Sequence, residues 1–208
     1  MSVFIVSVDG PDLSGKTTTS TLLVDALRKE FPECAIKHSV LPSSMVTGAF
    51  TMMLRSLKED VSAEVFALAY ALDHLHHNKI IVKPLVEDSR DYILVLERSL
   101  LTTLIYQSQM LGADLKWMEE VNKYVKYLPN LSIILRLEKE ELLKRKEVEK
   151  KQFDKFETDE MIEKQIHLYA DIPEELKQKY NVQYVDVNGQ GVQGVVQKVV
   201  EKVKEFKK

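Results

Sequence analysis

Eight residues near the N-terminus have the types and spacing of a phosphate-binding loop: Gly10-Pro11-Asp12-Leu13-Ser14-Gly15-Lys16-Thr17. They fit the pattern G-x-x-x-x-G-K-[ST], in which backbone N–H groups surround an anion at the start of a helix. Lys16 would contact the β- and γ-phosphates, and the Thr17 hydroxyl would bind Mg²⁺. The sequence therefore predicts that the chain binds a nucleoside triphosphate.

The segments on either side of this loop agree with that interpretation. An apolar run over residues 3–8 precedes the loop and predicts a strand, and residues 18–28 follow it with a helical pattern. A turn that joins a strand to a helix by chance is the alternative. This alternative is less favoured, because the motif lies in the strand–loop–helix context that phosphate binding requires.

The rest of the chain indicates how such a loop would be positioned. Apolar runs alternate with helical patterns from end to end, which predicts an α/β fold, a three-layer sandwich of the P-loop NTPase type. Its centre would be a sheet of about five parallel strands flanked by helices. The predicted strands are 3–8, 34–38, 92–96, 131–137 and 182–187. The predicted helices are 16–31, a short one ending near 57, 62–86 with fraying at Pro84, 99–111, 115–127, 138–180 with an interruption near 152–154, and 191–206.

The composition predicts a soluble protein with a single domain, residues 1–208. Its 45% apolar and 29% charged residues are ordinary, and a net charge of −3 argues against nonspecific binding to nucleic acid or to an anionic membrane. Cys34 is the only cysteine, so no intramolecular disulfide can form and a reducing cytoplasm is the expected setting. No apolar run is long enough to span a membrane, and the N-terminus has no leader pattern.

Five further segments resemble, in order and spacing, the motifs of the thymidylate kinase family. Residues 97–107, which read E-R-S-L-L-T-T-L-I-Y-Q, resemble the family's D-R-Y-x-x-S-x-x-A-Y-Q. Residues 70–77, followed by Pro84, resemble F-A-A-D-R-x-x-H. The other matches are 41–44 with F-P-x-R, 129–137 with P-D-L…L-D-V, and 154–157 with D-R-F-E. The ordered set runs from about residue 3 to residue 187 and is more specific than any one of its motifs.

This resemblance implies an ATP- and Mg²⁺-dependent nucleoside monophosphate kinase. The enzyme would transfer the γ-phosphate of ATP to a pyrimidine deoxynucleoside monophosphate, with dTMP as the expected acceptor and dTDP as the product. Lys16 would serve the donor, Arg98 would bridge donor and acceptor phosphates in the transition state, and Asp12 would contact the 3′-hydroxyl of the acceptor sugar. The alternative for Arg98 is a surface salt bridge with Glu97.

The remaining donor-side residues surround the loop. Thr18 extends the donor-binding segment, and Glu97 would orient Arg98 or support Mg²⁺ together with Thr17. Asp9, directly before the loop, would have the same role or would be a hydrogen-bonded carboxylate at the end of a strand.

On the acceptor side, the resemblance assigns Tyr70 to stacking on the base, Gln107 to its edge, and Tyr106 and Thr102 to the same pocket. Ordinary packing in the core is the alternative for Tyr70. Ser44 and His74 stand where the family has arginines for the monophosphate and for the base. The loss of a forked guanidinium predicts an acceptor site that is weaker or differently built. His74 would replace the base-reading arginine or lie on the surface. A metal site at His74, His76 and His77 lacks a further ligand with suitable spacing.

The charged segment after the fourth strand matches the family's lid, residues 144–156. Arg145 would pack on adenine, and Lys150, or else Lys151, would reach the transferring phosphate on closure. This lysine is needed because Leu13 leaves the phosphate loop without an arginine that some family members have there. A solvated helix face is the alternative for a segment with such a balance of charges.

Two other functions agree with the same residues. A deoxynucleoside kinase would share the donor site and the E-R-S triplet. A regulatory or pseudo-kinase module would bind nucleotides with little turnover, which the absent arginines favour and the intact loop opposes. Because the family commonly pairs through helices beside the sheet, the resemblance also implies a homodimer.

Overall fold

A sheet of five parallel strands forms the centre of the computed structural model, which describes residues 2–148 and 159–207. The strands are β1 (Val3–Asp9), β2 (Ala35–Val40), β3 (Tyr92–Glu97), β4 (Leu131–Arg136) and β5 (Val182–Asp186). Their order across the sheet is β2-β3-β1-β4-β5. Every residue of β3 is buried, as expected for a strand that is covered by helices on both faces. The predicted α/β class and the five strands are confirmed.

Helices cover both faces of this sheet. They are α1 (Lys16–Glu30), α2 (Val46–Ser56), α3 (Ala63–His77), α4 (Lys83–Glu87), α5 (Leu100–Ile105), α6 (Leu115–Val121), α7 (Lys139–Val148), α8 (Asp159–Ala170), α9 (Glu174–Lys179) and α10 (Val192–Phe206). One face packs on α1 and α10, and the other packs on α5, α6, α8 and α9. Cys34 lies buried in the first of these layers, as a structural thiol should. Within the described residues, no helix is both long and apolar enough to cross a membrane.

The predicted helix over 62–86 differs from the observed one in its middle. A π-helical turn, Asn78–Val82, separates α3 from α4, and Pro84 lies in the first turn of α4. A proline ring clashes with the carbonyl group four residues earlier in a regular α-helix, and a π-helical turn is wider there. The helical path therefore continues to Glu87 instead of fraying at Pro84.

Two other predicted helical segments are shorter than expected, one because of a contact with a distant residue and one because of a proline. α6 ends at Val121, six residues before the predicted end, 127. The Asn78 side chain accepts hydrogen bonds from the backbone N–H groups of Lys126 and Tyr127, at 3.2 Å each, and so holds this segment in another conformation. In the predicted segment 138–180, a break at residues 171–173 precedes α9, since Pro173 restricts the residue before it. The interruption predicted near 152–154 lies outside the described residues.

The register of the strands brings the chemically interesting residues to one edge of the sheet. Val8 of β1 is paired with Glu97 of β3, so Asp9 and Arg98 follow from neighbouring strand ends. The N–H of Leu41 donates to the carbonyl of Glu97 at 2.9 Å, which places the loop after β2 beside them. This edge is the carboxyl end of the parallel strands, where open α/β sheets bind their ligands.

Candidate active site

The predicted phosphate loop lies between β1 and α1, and its backbone is shaped by glycine. Gly10 has φ 143°, and a Cβ atom there would lie 2.8 Å from the carbonyl oxygen of Leu135, so no other residue fits. Gly15 and Leu13 also have positive φ, at 88° and 65°. The hydroxyl of Ser14 is buried beside Gly10 and has no hydrogen-bond partner among the described residues. The loop leads into the first turn of α1, in which Thr17 and Thr18 are exposed and Lys16 and Thr19 are buried.

Lys16 is folded back against this loop. Its Nζ donates to the carbonyl oxygens of Gly10 at 3.0 Å and Pro11 at 2.7 Å, and it lies 3.4 Å from Asp12 Oδ1. Burial lowers the pKa of Lys16 to about 8, the nearby charge of Arg98 adds to this effect, and Asp12 opposes it. An ammonium group is therefore held at the loop, where a phosphate would lie.

Asp12 joins three of the site's groups. Arg98 Nη2 donates to Asp12 Oδ1 at 2.7 Å, and the amide of Gln165 both accepts from the Asp12 N–H at 2.8 Å and donates to Oδ2 at 3.0 Å. Burial alone would raise the pKa of Asp12, but the charges of Lys16 and Arg98 outweigh it and hold that pKa well below its usual range. The carboxylate is ionised and can accept a hydrogen bond from a substrate hydroxyl.

Arg98 has the position predicted for it but not the alternative partner. Its ion pair is with Asp12, whereas Glu97 points elsewhere. Burial lowers the pKa of Arg98, and Asp12 more than reverses this, so the guanidinium stays charged. Its backbone has φ 66°, a left-handed conformation directly after β3 that turns the side chain toward the phosphate loop.

Glu97 lies under the first turn of α1. Its Oε1 accepts a hydrogen bond from the Thr17 hydroxyl at 2.5 Å, and its Oε2 accepts one from the Ser20 hydroxyl at 3.3 Å. Oxygen ligands are those that Mg²⁺ prefers, and Mg²⁺ commonly uses few protein ligands in addition to substrate phosphates and water. The pair Thr17 and Glu97 supplies oxygen ligands of this kind beside the loop, and magnesium binding there stays a prediction.

Asp9 is a hydrogen-bonded carboxylate at the end of β1, which was the second of its two predicted roles. It accepts bonds from the hydroxyls of Ser7 at 2.6 Å, Ser99 at 3.0 Å and Thr102 at 2.5 Å. Burial raises its pKa, and these hydroxyls and the charge of Arg98 oppose the rise. Because two of its partners follow Arg98 in the chain, Asp9 supports the turn that presents the guanidinium.

An open cavity begins at Asp12 and Arg98 and brings together most of the predicted acceptor residues. Its described walls come from the loop after β2, from α2, α3 and α5, and from a second π-helical turn, Tyr106–Met110, that follows α5. The lining residues are Asp12, Leu41, Pro42, Arg55, Tyr70, His74, Arg98, Ser99, Thr102, Thr103, Tyr106 and Gln107. Tyr70, His74, Thr102, Tyr106 and Gln107 are thus gathered with Asp12 and Arg98, as the sequence predicted.

His74 is buried, so its predicted alternative as a surface residue is wrong. Its Nε2 lies 2.8 Å from the Thr103 hydroxyl, and its ring stacks near Tyr70 with centroids 6.5 Å apart. Burial lowers the pKa of His74 to about 4, against an opposing effect of Asp73. The imidazole is therefore neutral near pH 7 and supplies no charge to the cavity.

The loop after β2 presents its two serines differently. Ser44 is exposed and does not line the cavity, so its predicted contact with the acceptor stays a prediction. Ser43 is buried, with its N–H at 2.7 Å and its hydroxyl at 2.5 Å from the carboxylate of Asp73. Gly48 permits this arrangement, because a Cβ there would lie 1.9 Å from the carbonyl oxygen of Ser43.

The other two histidines of α3 have hydroxyl partners. His77 Nε2 lies 2.7 Å from the Ser39 hydroxyl, and His76 Nδ1 lies 3.1 Å from the Thr47 hydroxyl. In the part of the chain that the structure describes, no group of three or more histidine, cysteine or acidic residues could hold a metal ion. The histidine cluster therefore gives no support to a metal site.

Arg145 reaches from α7 to the donor side of the loop. Its Nη1 donates to the carbonyl of Leu13 and its Nη2 to that of Val187, both at 3.1 Å, while Glu141 holds its Nε at 2.9 Å. Its guanidinium thus lies beside the start of α1. The predicted lid residues from 149 onward, including Lys150, Lys151 and the D-K-F-E segment at 154–157, lie outside the described residues.

Two residues of the site were missed in the sequence. Gln165 of α8 binds Asp12 but lies 153 residues from it in the chain, and no motif marks it. Arg55 of α2 lines the acceptor cavity, and its only signal is a charge near the end of an otherwise apolar helix. Neither side chain could be placed without knowing how the helices pack.

The fold and this site together define a phosphotransferase that binds nucleotides. The family model for thymidylate kinase matches residues 8–199, so the chain belongs to the thymidylate kinase family. A probable thymidylate kinase of Sulfolobus acidocaldarius is 32% identical over 162 residues, which cover 77% of this chain and 76% of that protein. A probable thymidylate kinase of Methanocaldococcus jannaschii is 29% identical over 199 residues, 96% of this chain and 94% of that protein.

A solved structure shows the same fold. The crystal structure of thymidylate kinase from Ehrlichia chaffeensis matches with a TM-score of 0.71 and covers 97% of this chain and 98% of that one. At 18% identity, this similarity concerns the fold alone.

Proposed function

We propose that this protein transfers the γ-phosphate of ATP to dTMP, with Mg²⁺ as cofactor. The observation that carries the proposal is the contact between Asp12 and Arg98, because it joins the phosphate loop to a cavity of suitable chemistry. Membership of the thymidylate kinase family and the names of the relatives support dTMP as the acceptor.

The donor half would work through charges already in place. Lys16 would leave the carbonyls of Gly10 and Pro11 for the β- and γ-phosphates, since an anion is a stronger partner than a carbonyl oxygen. Thr17 and Glu97 would hold Mg²⁺, which neutralises phosphate charge when bound. Arg145, held beside the loop, would stack on the adenine ring. Lys150 or Lys151 would complete the site from the lid.

The acceptor half would place the nucleophile against the donor. Asp12 would accept a hydrogen bond from the 3′-hydroxyl of the sugar, and Gln165 would keep its carboxylate in position. Arg98 would exchange part of its pairing with Asp12 for oxygens of both substrates as negative charge is redistributed in the transition state. Positioning and electrostatic stabilisation are the main contributions a protein makes to phosphoryl transfer.

We also propose that residues 1–208 act as one kinase domain that forms a homodimer in the cytoplasm. Exposed apolar residues follow a helical spacing along α2 and the residue after it (Val46, Phe50, Met53 and Leu57) and along α3 (Val65, Leu68 and Leu72). Such a face is typical of a surface that a partner covers. The single cysteine agrees with a reducing compartment.

A deoxynucleoside kinase is the second candidate, because its acceptor has no phosphate and needs fewer arginines. Ser44 lies outside the cavity, and among the described lining residues Arg98 is the cation that lies beside Asp12. An ADP-release assay with dTMP, dUMP, dCMP, dGMP and thymidine tests both functions. Turnover of dTMP well above that of thymidine is expected. Fast turnover of thymidine with none of dTMP would support the second candidate. Nucleotide binding without turnover of any acceptor would indicate a regulatory module.

A further inference from the structure

Two guanidinium groups line the acceptor cavity among the described residues. One is Arg98, at the end of β3, which pairs with Asp12. The other is Arg55, in the last turn of α2, for which the proposed mechanism has no role. A charged side chain in a cavity that binds a small polar molecule is a candidate for recognition of that molecule.

The location of Arg55 differs from that of Arg98. A smaller pocket adjoins the cavity and shares four lining residues with it: Arg55, Tyr70, Tyr106 and Gln107. Phe66 and Leu111 complete its described lining, whereas neither Asp12 nor Arg98 contributes to it. Since Asp12 and Arg98 mark the end where phosphate would be transferred, Arg55 lies toward the opposite end, with the aromatic rings and the amide.

The charge of Arg55 acts on its neighbours there. Burial raises the pKa of the Tyr106 hydroxyl, and the positive charge of Arg55 opposes that rise. The same hydroxyl lies 3.5 Å from Gln165 Nε2, on the side of Asp12. Tyr106 and Arg55 also line both pockets, so the Tyr106 hydroxyl has the charge of Arg55 and the amide of Gln165 near it.

Gln107 supplies the second polar group at this end. Its side chain is 3% exposed, and its Oε1 has no hydrogen-bond partner within the described parts of the chain. A buried amide oxygen without a partner costs free energy, which a ligand N–H can recover. The oxygen thus points to a ligand that carries a hydrogen-bond donor.

We infer that Arg55 and Gln107 together recognise the imide edge of a thymine or uracil base. The guanidinium of Arg55 donates to the C4 carbonyl of the ring, and the amide oxygen of Gln107 accepts from the adjacent N3–H. Cytosine presents an amino group and an unprotonated ring nitrogen at the same positions, so both contacts would be mismatched. This inference rests on the proposed function and names the residues that select its substrate class.

The assignment also accounts for His74. The resemblance to the family places a base-reading arginine at that position, but here a neutral imidazole is engaged with the Thr103 hydroxyl. In this chain the charged contact to the base is supplied by α2 instead of α3. The two helices pack against each other, so the exchange keeps the guanidinium in the same cavity.

The test compares Arg55→Met with Arg28→Met, a control in which an exposed arginine of α1 is changed. The dissociation constant of dTMP is measured by calorimetry, and kcat/KM is measured with dTMP, dUMP and dCMP. Loss of a hydrogen bond to a charged group is expected to weaken the binding of dTMP about 30-fold and to lower kcat/KM for dTMP and dUMP by a similar factor. The values for dCMP should change less than threefold, so the preference for dTMP over dCMP collapses. Arg28→Met should match the wild type.

Two outcomes would overturn the inference. One is a dTMP dissociation constant within threefold of the wild type, and the other is an equal loss for all three nucleotides. If Arg55→Met does not fold, Arg55→Lys is measured instead. Replacing the forked guanidinium by an ammonium must weaken the binding of dTMP at least fivefold and that of dCMP less than twofold, and equal effects on both contradict the inference. Failure of the proposed function is a separate result, since it appears as absent turnover in the wild type, while the binding constants still test Arg55.

Discussion

The phosphate loop and the acceptor cavity meet at Asp12, yet the loop is one continuous segment and the cavity is assembled from several separate elements. The donor side is largely one continuous segment, residues 10–18, and depends on backbone conformation and on Lys16. The acceptor side is formed by side chains from α2, α3, α5 and α8 that are far apart in sequence. A continuous segment constrains its own sequence closely, whereas a composite surface can exchange one contributor for another. The difference explains why this chain retains the loop but departs from the family at positions 44 and 74.

The sharpest test of the donor side is Lys16→Ala. We expect kcat/KM to fall about 10³-fold, because a fixed cation is removed from the transferring phosphate. The melting temperature should change by less than about 4 °C, since the ammonium is buried at a cost that offsets its hydrogen bonds. Lys29→Ala, which changes an exposed lysine of the same helix, is the control. Near-normal turnover in Lys16→Ala would mean that this loop does not hold the donor.

Acid should destabilise the fold through a residue of the acceptor side, His74. In the unfolded chain His74 binds a proton below about pH 6.5, whereas in the folded chain it stays neutral down to its pKa of about 4. The unfolded state therefore gains a proton first, and the free energy of unfolding falls as the pH is lowered from 6.5 to 4. Between pH 7 and pH 5 this residue alone accounts for about 2 kcal/mol of unfolding free energy.

Denaturant titrations at both pH values measure this effect. In His74→Gln, which keeps a polar partner for Thr103, the difference between the two pH values should shrink by about that amount. His38→Gln, in which an exposed histidine of β2 is changed, should leave it as in the wild type. An unchanged pH dependence in His74→Gln would show that His74 titrates normally.

Gln165→Ala tests whether the two sides are coupled through Asp12. We expect kcat to fall about tenfold with the affinity for ATP unchanged, because Asp12 loses two hydrogen bonds to α8, one at its carboxylate and one at its backbone N–H, while Lys16 and its contacts are untouched. Gln165→Glu would place a second carboxylate beside Asp12 and shift the acid limb of the kcat profile to higher pH. The exposed Gln178→Ala serves as the control. A change in ATP affinity without a change in kcat would contradict a positioning role.

The smallest expected effect concerns Ser44. Ser44→Arg should lower the KM for dTMP about threefold at unchanged kcat, because a long side chain with a forked guanidinium on the loop after β2 can reach and bind the monophosphate. Ser56→Arg, at the other end of α2, controls for added charge. If KM is unchanged or rises, the monophosphate already has its partners and position 44 is not part of the site.

Features that depend on neighbouring residues were predictable from sequence. The phosphate loop needs only local glycines and a helix start, and β3 needs only a run of apolar residues. The side chain of Asn78, which redirects residues 126–127, could not be anticipated, because the contact joins segments 48 residues apart. The same holds for Asp73, which binds Ser43 and thereby leaves Ser44 exposed. Helical spacing predicts which face of α2 carries Arg55, but only the packing of α2 on α3 shows that this face lines the cavity.

The left-handed backbone at Leu13 and Arg98 has a consequence for attempts to make the protein more heat-resistant. Such a conformation costs a residue with a side chain about 1 kcal/mol, and glycine is free of this penalty. Glycine would remove this penalty at both positions, but it would also remove the packing of Leu13 on the core and the ion pair of Arg98. At position 13 the exchange removes a side chain with no assigned part in the reaction, but at position 98 it removes the guanidinium that pairs with Asp12. A stabilising exchange of this kind is therefore better sought at position 13 than at position 98, and a heat screen should also score turnover.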